Sequence, residues 1–370
     1  MPESRRLSIV HTEASLGWGG QEIRILSEAA GMIRRGHTVR LLCPPEARIF
    51  REAPDRGVPA EALPIGRKNL RGLLAMRGWL ATHRVDVVNT HSSTDSWLAA
   101  LACATLGHAP ALVRTRHISA AIPDNLATRW LYGRATRTIV TTGERLREQL
   151  VRDNGFDAKR IVSVPTGIDT TRFVPGDRAE ARARLGLPSA AAIVGIVATL
   201  RSWKGHVYLL DAFAGLGRDD ARLVIVGDGP QREAIANRIA ELGLGDRVTM
   251  PGNQNDVLPW LQSFDVFALP SYANEGVPQA ILQAMLCGLP VVTTDVGSIG
   301  EAIVDGDTGL VVPPKQAAPL AEALVRLLDD AGLRSRLGTR ARAVATERFG
   351  LESMLDHMER VFLEASASRV

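Results

Sequence analysis

Cysteine, lysine and aromatic residues are all scarce in this chain of 370 residues, and each shortage excludes something. The three cysteines, Cys43, Cys103 and Cys287, stand far apart, with no CxxC pair and no clustered histidines along the sequence. That spacing argues against a zinc site and a disulfide framework, and it fits a reducing compartment. No apolar run approaches the roughly 18–20 residues of a membrane span. The longest, 190–200, is broken by Gly195 and Thr199. The opening run Leu7–Val10 is too short for a signal-peptide core and gives way to His11-Thr12-Glu13. It reads as a first strand, and the chain as cytoplasmic, peripheral at most to the inner face of a membrane. Gly17-Trp18-Gly19-Gly20 lacks the third glycine of GxGxxG, as does Gly227-Asp228-Gly229-Pro230, and no GxxxxGK(S/T) occurs. A nicotinamide or flavin dehydrogenase and a P-loop enzyme are therefore poorly supported.

What is present is enough for two domains, with 45% hydrophobic residues to fill their cores. The net charge of +4 hides an asymmetry: residues 1–168 hold 24 basic against 15 acidic side chains, and residues 169–370 hold 20 against 25. Nearly all the positive charge is arginine; the lysines are Lys68, Lys159, Lys204 and Lys315. A basic half suggests an anionic partner. No nucleic-acid-binding motif or aromatic platform accompanies it, so nucleic acid is not expected. Short β-branched runs alternate with helical periods, the signature of βαβ units around parallel sheets. One series of strands starts at Leu7 and continues through His37–Cys43, Val85–Asn89, Ala111–Thr115, Arg137–Thr141 and Arg160–Val164. A second runs from Ala190–Ala198 through Arg222–Val226, Arg247–Met250, Asp265–Leu269 and Pro290–Thr293 to Gly309–Val312. The breakers in Val164-Pro165-Thr166-Gly167-Ile168-Asp169 mark a hinge. The expected architecture is α/β, two doubly wound Rossmann-like domains, with ligands at the carboxyl ends of the strands and in the cleft between domains.

Several strand ends carry polar residues. Gly19 and Gly20 open the first helix, where close backbone approach and the helix N-terminus favour an anion; a packing turn accounts for them equally well. Arg201 and Lys204 follow a buried strand and are placed for a diphosphate, Arg as a planar fork and Lys as a compact charge. Pro278 fits the first position of a helix running to about Leu286, with Gly276 and Val277 offering N–H groups at its mouth. Glu275 then stands at the helix entrance and Gln283 two turns deeper. His117 ends another strand and points to the same cleft, whereas His91 reads as structural. The run 70–84, with Leu70, Leu73, Leu74 and Leu80 at helical spacing, reads as a helix packing on the sheet rather than lying on a membrane.

Taken in order, these pieces resemble the family-4 retaining glycosyltransferases of GT-B fold over nearly the whole chain, most strongly over 190–315. The match runs through Asp86-Val87-Val88-Asn89-Thr90-His91, the hinge segment, Arg201/Lys204-Gly205, Val226-Gly227-Asp228-Gly229-Pro230, Asp265–Ser271, Glu275-Gly276-Val277-Pro278 and Asp305-Gly306-Asp307-Thr308-Gly309. The resemblance implies domains at 1–166 (acceptor-binding) and 167–348 (nucleotide-sugar-binding), with a helix at 349–370 crossing back to the first. It implies transfer of a sugar from a nucleotide-diphosphate sugar, with retention and without a metal or other cofactor, to a glycan or lipid-linked acceptor in cell-surface polysaccharide or lipopolysaccharide-type synthesis. Arg201 and Lys204 would hold the diphosphate with the N–H groups of Gly19, Gly20 and the 276–278 turn. Glu275 would bind hydroxyls of the transferred sugar, and His117 would lie near its reacting face. One departure stands out: the family places a second Glu where this chain has Gln283, a residue that would meet the donor ribose. The basic half then implies an anionic acceptor, with an anionic membrane surface a possible further partner. A sugar-nucleotide epimerase and a non-catalytic sugar-nucleotide-binding subunit are the alternatives.

Overall fold

The structure, a computed structural model, describes residues 5–367; the outermost residues of the first and last expected segments, 1–4 and 368–370, lie outside the described residues. Two compact units emerge: the chain up to Gly167 together with the chain from Glu352 onward, and Ile168–Leu351.

The first unit is built on seven strands: β1 (Ser8–Thr12), β2 (Thr38–Cys43), β3 (Ala60–Ala62), β4 (Val87–Thr90), β5 (Ala111–Arg116), β6 (Thr138–Thr141) and β7 (Ile161–Ser163). All pairs are parallel, in the order β3-β2-β1-β4-β5-β6-β7. Strand β3 is absent from the sequence-based expectation because Ala60-Glu61-Ala62 has no β-branched residue; its pairing with β2 creates it. Helix α1 (Gly20–Arg34) buries Ile25, Leu26, Ala29 and Met32; of the residues that helical spacing alone singles out, Ile23, Leu26, Ala30 and Ile33, only Leu26 is buried, so the inward face is rotated from the expected one. It also buries Glu22, Arg24 and Glu28, and so many buried charges on one helix mark a site rather than a plain core. The C-terminal helix (Leu351–Ala367) presses Leu355 onto Gly31 of α1, where a Cβ would come within 2.4 Å of the leucine methyls.

Helix α2 (Leu70–Thr82) departs from its expected packing. Met76 and Leu80 are buried, but Leu70 and Leu74 are 68% and 58% exposed. The buried face of the helix is narrow, Gly72, Met76 and Leu80, and Gly72 lies close against Leu98 of the following helix. Helix α3 (Ser93–Cys103) is started by a capping box between Ser92 and Asp95.

The second unit has six parallel strands: β8 (Ala192–Val197), β9 (Ala221–Val226), β10 (Val248–Gly252), β11 (Val266–Leu269), β12 (Val291–Thr294) and β13 (Leu310–Val312), ordered β10-β9-β8-β11-β12-β13. Apart from the edge strand β10, its strands are apolar without alternation and mostly buried, because helices such as α4 (His206–Ala214) and α5 (Gln279–Leu286) cover both faces. Pro278 is the residue before α5 rather than its first, with ψ of 127°. Among the described residues no helix is long and apolar enough to cross a membrane.

In each sheet the strand order reverses beside the first strand, between β1 and β4 and between β8 and β11. Chain leaving neighbouring strands in opposite directions opens a crevice at their carboxyl ends, and ligands bind there in such sheets.

Candidate functional site

At the β8/β11 reversal, the chain leaves β8 through Arg201, makes a single turn over Ser202–Lys204 and enters α4 at His206. Gly205 makes this route possible: its φ is +77°, and a Cβ would stand 2.0 Å from the carbonyl oxygen of Pro270. The turn is thereby laid against the loop after β11, and Tyr272 N donates to Trp203 O at 2.8 Å. Lys204 Nζ reaches both oxygens of Glu275, at 2.7 and 3.0 Å. The Glu275 carboxylate is buried and also accepts from Ser271 Oγ at 2.7 Å. Gly276, Val277 and Pro278 follow it, buried, at the mouth of α5, and Gln283 is buried two turns further on. Arg201 is exposed, its guanidinium 5.7 Å from the centroid of the Trp203 ring. The fold thus joins Lys204 with Glu275 and puts Arg201, Gly276, Val277 and Pro278 on the same two loops. His206, beneath this turn, is held neutral: burial, and then Lys204, lower its pKa to about 4.

At the β1/β4 reversal, Gly19 and Gly20 form the entrance of α1. The loop before them wraps round the buried carboxyl of Glu13, which accepts from Ser15 N at 2.7 Å and pairs with the Gln21 amide. Burial, reinforced by Asp95 and Glu22, pushes Glu13 up to about 8. A neutral carboxylic acid at this place leaves the turn able to receive an anion.

His117, just past β5, belongs to a row that the sequence did not reveal. Its Nε2 lies 3.0 Å from Nδ1 of His91, and His91 Nε2 lies 3.0 Å from Nδ1 of His11. The register that pairs His11 with Asn89, and β4 with β5, brings the three into line. Beyond them Glu28 Oε1 stands 4.0 Å from His11 Nε2 and accepts from Asn89 Nδ2 at 3.1 Å. Burial holds all three imidazoles neutral, lowering His11 to about 3 and the others well below the ordinary value. The rings lie in a row rather than around a point, and among the described residues no group of three His, Cys, Asp or Glu side chains could hold a metal ion. His91 is therefore the middle of a polar chain. The signal available in the sequence was the placement of His11, His91 and His117 at or just past the ends of three strands.

A second polar group lies where α3 begins. Lys68 Nζ donates to Ser93 Oγ at 3.0 Å. Burial and the nearby Arg114 guanidinium lower the Lys68 pKa. Arg114 is itself buried over the Tyr132 ring, and its Nη1 has no hydrogen-bond partner. Arg114 is partly offset by the buried Asp95 carboxylate at the same helix N-terminus, so Lys68 is the accessible cation there, and a cation at a helix N-terminus attracts an anion. No sequence motif marks it, since Lys68 lies in a loop, Ser93 opens α3 and Arg114 is part of β5.

Comparison with known proteins accords with these two sheets. The Glycosyltransferase Family 4 profile matches residues 18–172, and the profile for Glycosyl transferases group 1 matches residues 177–344. A D-inositol 3-phosphate glycosyltransferase of Saccharomonospora viridis is 30% identical over 393 residues, covering 95% of this chain and 90% of that relative. One from Nocardia farcinica is 37% identical over 281 residues, covering 72% of this chain; the chain spans 59% of that relative's length. The Anabaena protein HepE, solved in complex with UDP-glucose, superposes with a TM-score of 0.86 at 22% identity, covering 97% of this chain and all of that one. The chain belongs to the family-4 glycosyltransferases, and its fold is GT-B.

Proposed function

We propose that the protein transfers a sugar from a nucleotide-diphosphate sugar, with retention of configuration and without a metal ion, to a small acceptor carrying a phosphate. The observation that carries the donor half is the Lys204–Glu275 pair at the β8/β11 reversal. Lys204 and Arg201 supply the positive charge that a departing nucleotide diphosphate needs, in place of a divalent ion, and Glu275 receives hydroxyls of the sugar. Fixed cations need no reorganisation as negative charge develops on the leaving oxygen, which is why such groups lower a barrier effectively. His117 would meet a hydroxyl of a reacting partner, the role the family resemblance implies for it. The UDP-glucose held by HepE supports a nucleotide-sugar donor.

The acceptor half rests on Lys68, Ser93 and the unpartnered Nη1 of Arg114. The names of the relatives, which specify an inositol phosphate, support a phosphorylated polyol over a long glycan or a lipid-linked sugar. The protein would act in the cytoplasm, where nucleotide sugars and phosphorylated polyols are both available. The test is incubation with a panel of nucleotide sugars, with and without inositol phosphates, unphosphorylated inositol and lipid-linked sugars. Nucleotide release stimulated by a phosphorylated polyol is the expected result. Isomerised sugar, or binding without turnover, would replace this reading with the epimerase or the binding subunit.

A further inference from the structure

We propose that Glu28 is a positioning residue for His117: acting through His11 and His91, its carboxylate decides which ring nitrogen of His117 carries the proton, and leaves Nδ1 as a hydrogen-bond acceptor. The proposal rests on the role given to His117 above. A neutral imidazole has one N–H and one bare nitrogen. Where three neutral rings are linked nitrogen to nitrogen, every link must therefore point the same way, and the group at one end selects the direction for all. The two links are 3.0 Å each; the His11 and His91 ring planes lie 14° apart, so an in-plane N–H can meet an in-plane lone pair, and the His91 and His117 planes are tilted by 33°.

Glu28 is the group at the inner end. Its Oε1 accepts from Asn89 Nδ2, and Asn89 is oriented by Thr115 Oγ1, which donates to Asn89 Oδ1 at 2.9 Å. Oε1 stands 4.0 Å from His11 Nε2, outside hydrogen-bond reach, and no other group accepts from that nitrogen; the negative charge of the carboxylate favours the proton there through the low-dielectric interior. His11 Nδ1 is then bare and accepts from His91 Nε2; His91 Nδ1 accepts from His117 Nε2; His117 Nδ1 is left with its lone pair. His117 is partly exposed, while His11 and His91 are buried, so only this outer end can meet a ligand. The groups facing Glu28 are Arg24 on its own helix, with Nε 3.7 Å from Oε2, His11 on β1 and Asn89 on β4; Phe362 of the C-terminal helix closes off His11. Burial pushes Glu28 up to about 7 against the pull of Arg24 and Asn89, so the carboxylate predominates in mildly alkaline solution.

The test is nitrogen-15 NMR of the full chain with labelled histidine rings at about pH 9, above the Glu28 value, with the His117 signals assigned by His117→Gln. The expected result is a His117 ring protonated at Nε2 in the wild type, and a mixed or inverted ring in Glu28→Gln and in His11→Phe. In transfer assays both variants should lose ~10–100-fold in kcat with the donor KM unchanged, as for other residues that orient a functional histidine. Protonation of Nδ1 in the wild type, or an unchanged His117 tautomer in folded Glu28→Gln or folded His11→Phe, would overturn the proposal. The tautomer is read without substrate, so failure of the transferase reading shows separately, in the panel assay.

Discussion

Lys204 and Glu275 neutralise each other across two loops that are separated by 71 residues in sequence, with the ammonium 2.7 Å from one carboxylate oxygen and 3.0 Å from the other. The pair is mostly screened from water, with side-chain exposures of 16% and 6%. On the donor reading, a diphosphate draws the ammonium toward itself and releases a carboxylate oxygen for a sugar hydroxyl. One contact thus holds both loops in place.

Removing one partner should therefore act twice. Lys204→Ala leaves a buried carboxylate unpaired, which costs ~3–5 kcal/mol in comparable settings, and it removes transition-state charge stabilisation worth ~100–1,000-fold in kcat. The double variant Lys204→Ala/Glu275→Gln should recover most of the lost Tm and none of the activity. Thermal denaturation and steady-state assays on the three proteins check this; an active Lys204→Ala would remove the diphosphate assignment.

Gln283 is buried two turns into α5 from Glu275. A carboxylate at that place would accept from donor ribose hydroxyls with charge assistance, adding ~1–2 kcal/mol. Gln283→Glu should accordingly tighten nucleotide-sugar binding by ~5–30-fold, as measured by calorimetry, with little change in kcat. Unchanged affinity would place the ribose elsewhere.

If Lys68 and Arg114 receive an acceptor phosphate, Lys68→Ala should raise the KM for a phosphorylated acceptor at least ~10-fold while leaving the donor KM alone, because a hydrogen bond to a charged group is worth ~1.5–3 kcal/mol. The same variant should not change the response to an unphosphorylated acceptor. Comparing the two acceptors separates loss of a phosphate contact from general damage.

Stability should fall as the solution is made alkaline, and Glu13 is one cause. Its folded pKa of about 8 exceeds the ordinary 4.5, so between these values the folded protein keeps a proton that the unfolded chain has released. The wild type therefore loses stability as pH rises through that window, and the full cost is felt above about 8. Glu13→Gln, with the Gln21 amide turned over, should match the wild type at about pH 4 and exceed it in Tm at about pH 9. Glu28, raised to about 7, acts in the same direction and leaves part of the slope in the variant. On the acid side the order reverses. His11, neutral when folded down to about 3, costs stability as pH falls below 6.5, because only the unfolded chain takes up the proton.

Local pattern alone determined the two parallel sheets, since apolar runs bounded by turns and followed by helical periods depend on neighbours a few residues apart. It also determined that Arg201, Lys204 and Glu275 would stand at strand ends, because strand ends are legible wherever a β-branched run stops. It did not show β3, which exists through pairing, nor the exposure of Leu70 and Leu74, which depends on which face of α2 packs against α3. Only the tertiary structure decided which strand ends share a place. Lys204 meets Glu275 because β8 and β11 are neighbours, and His11, His91 and His117 form one row because β1, β4 and β5 are. Strand order is set by packing of whole units, and the positions it joins are up to 80 residues apart in the chain. Glu28 illustrates the limit: in sequence it is one charge on an amphipathic helix, and only burial beside β1 and β4 sets its carboxylate 4.0 Å from the inner end of the histidine row.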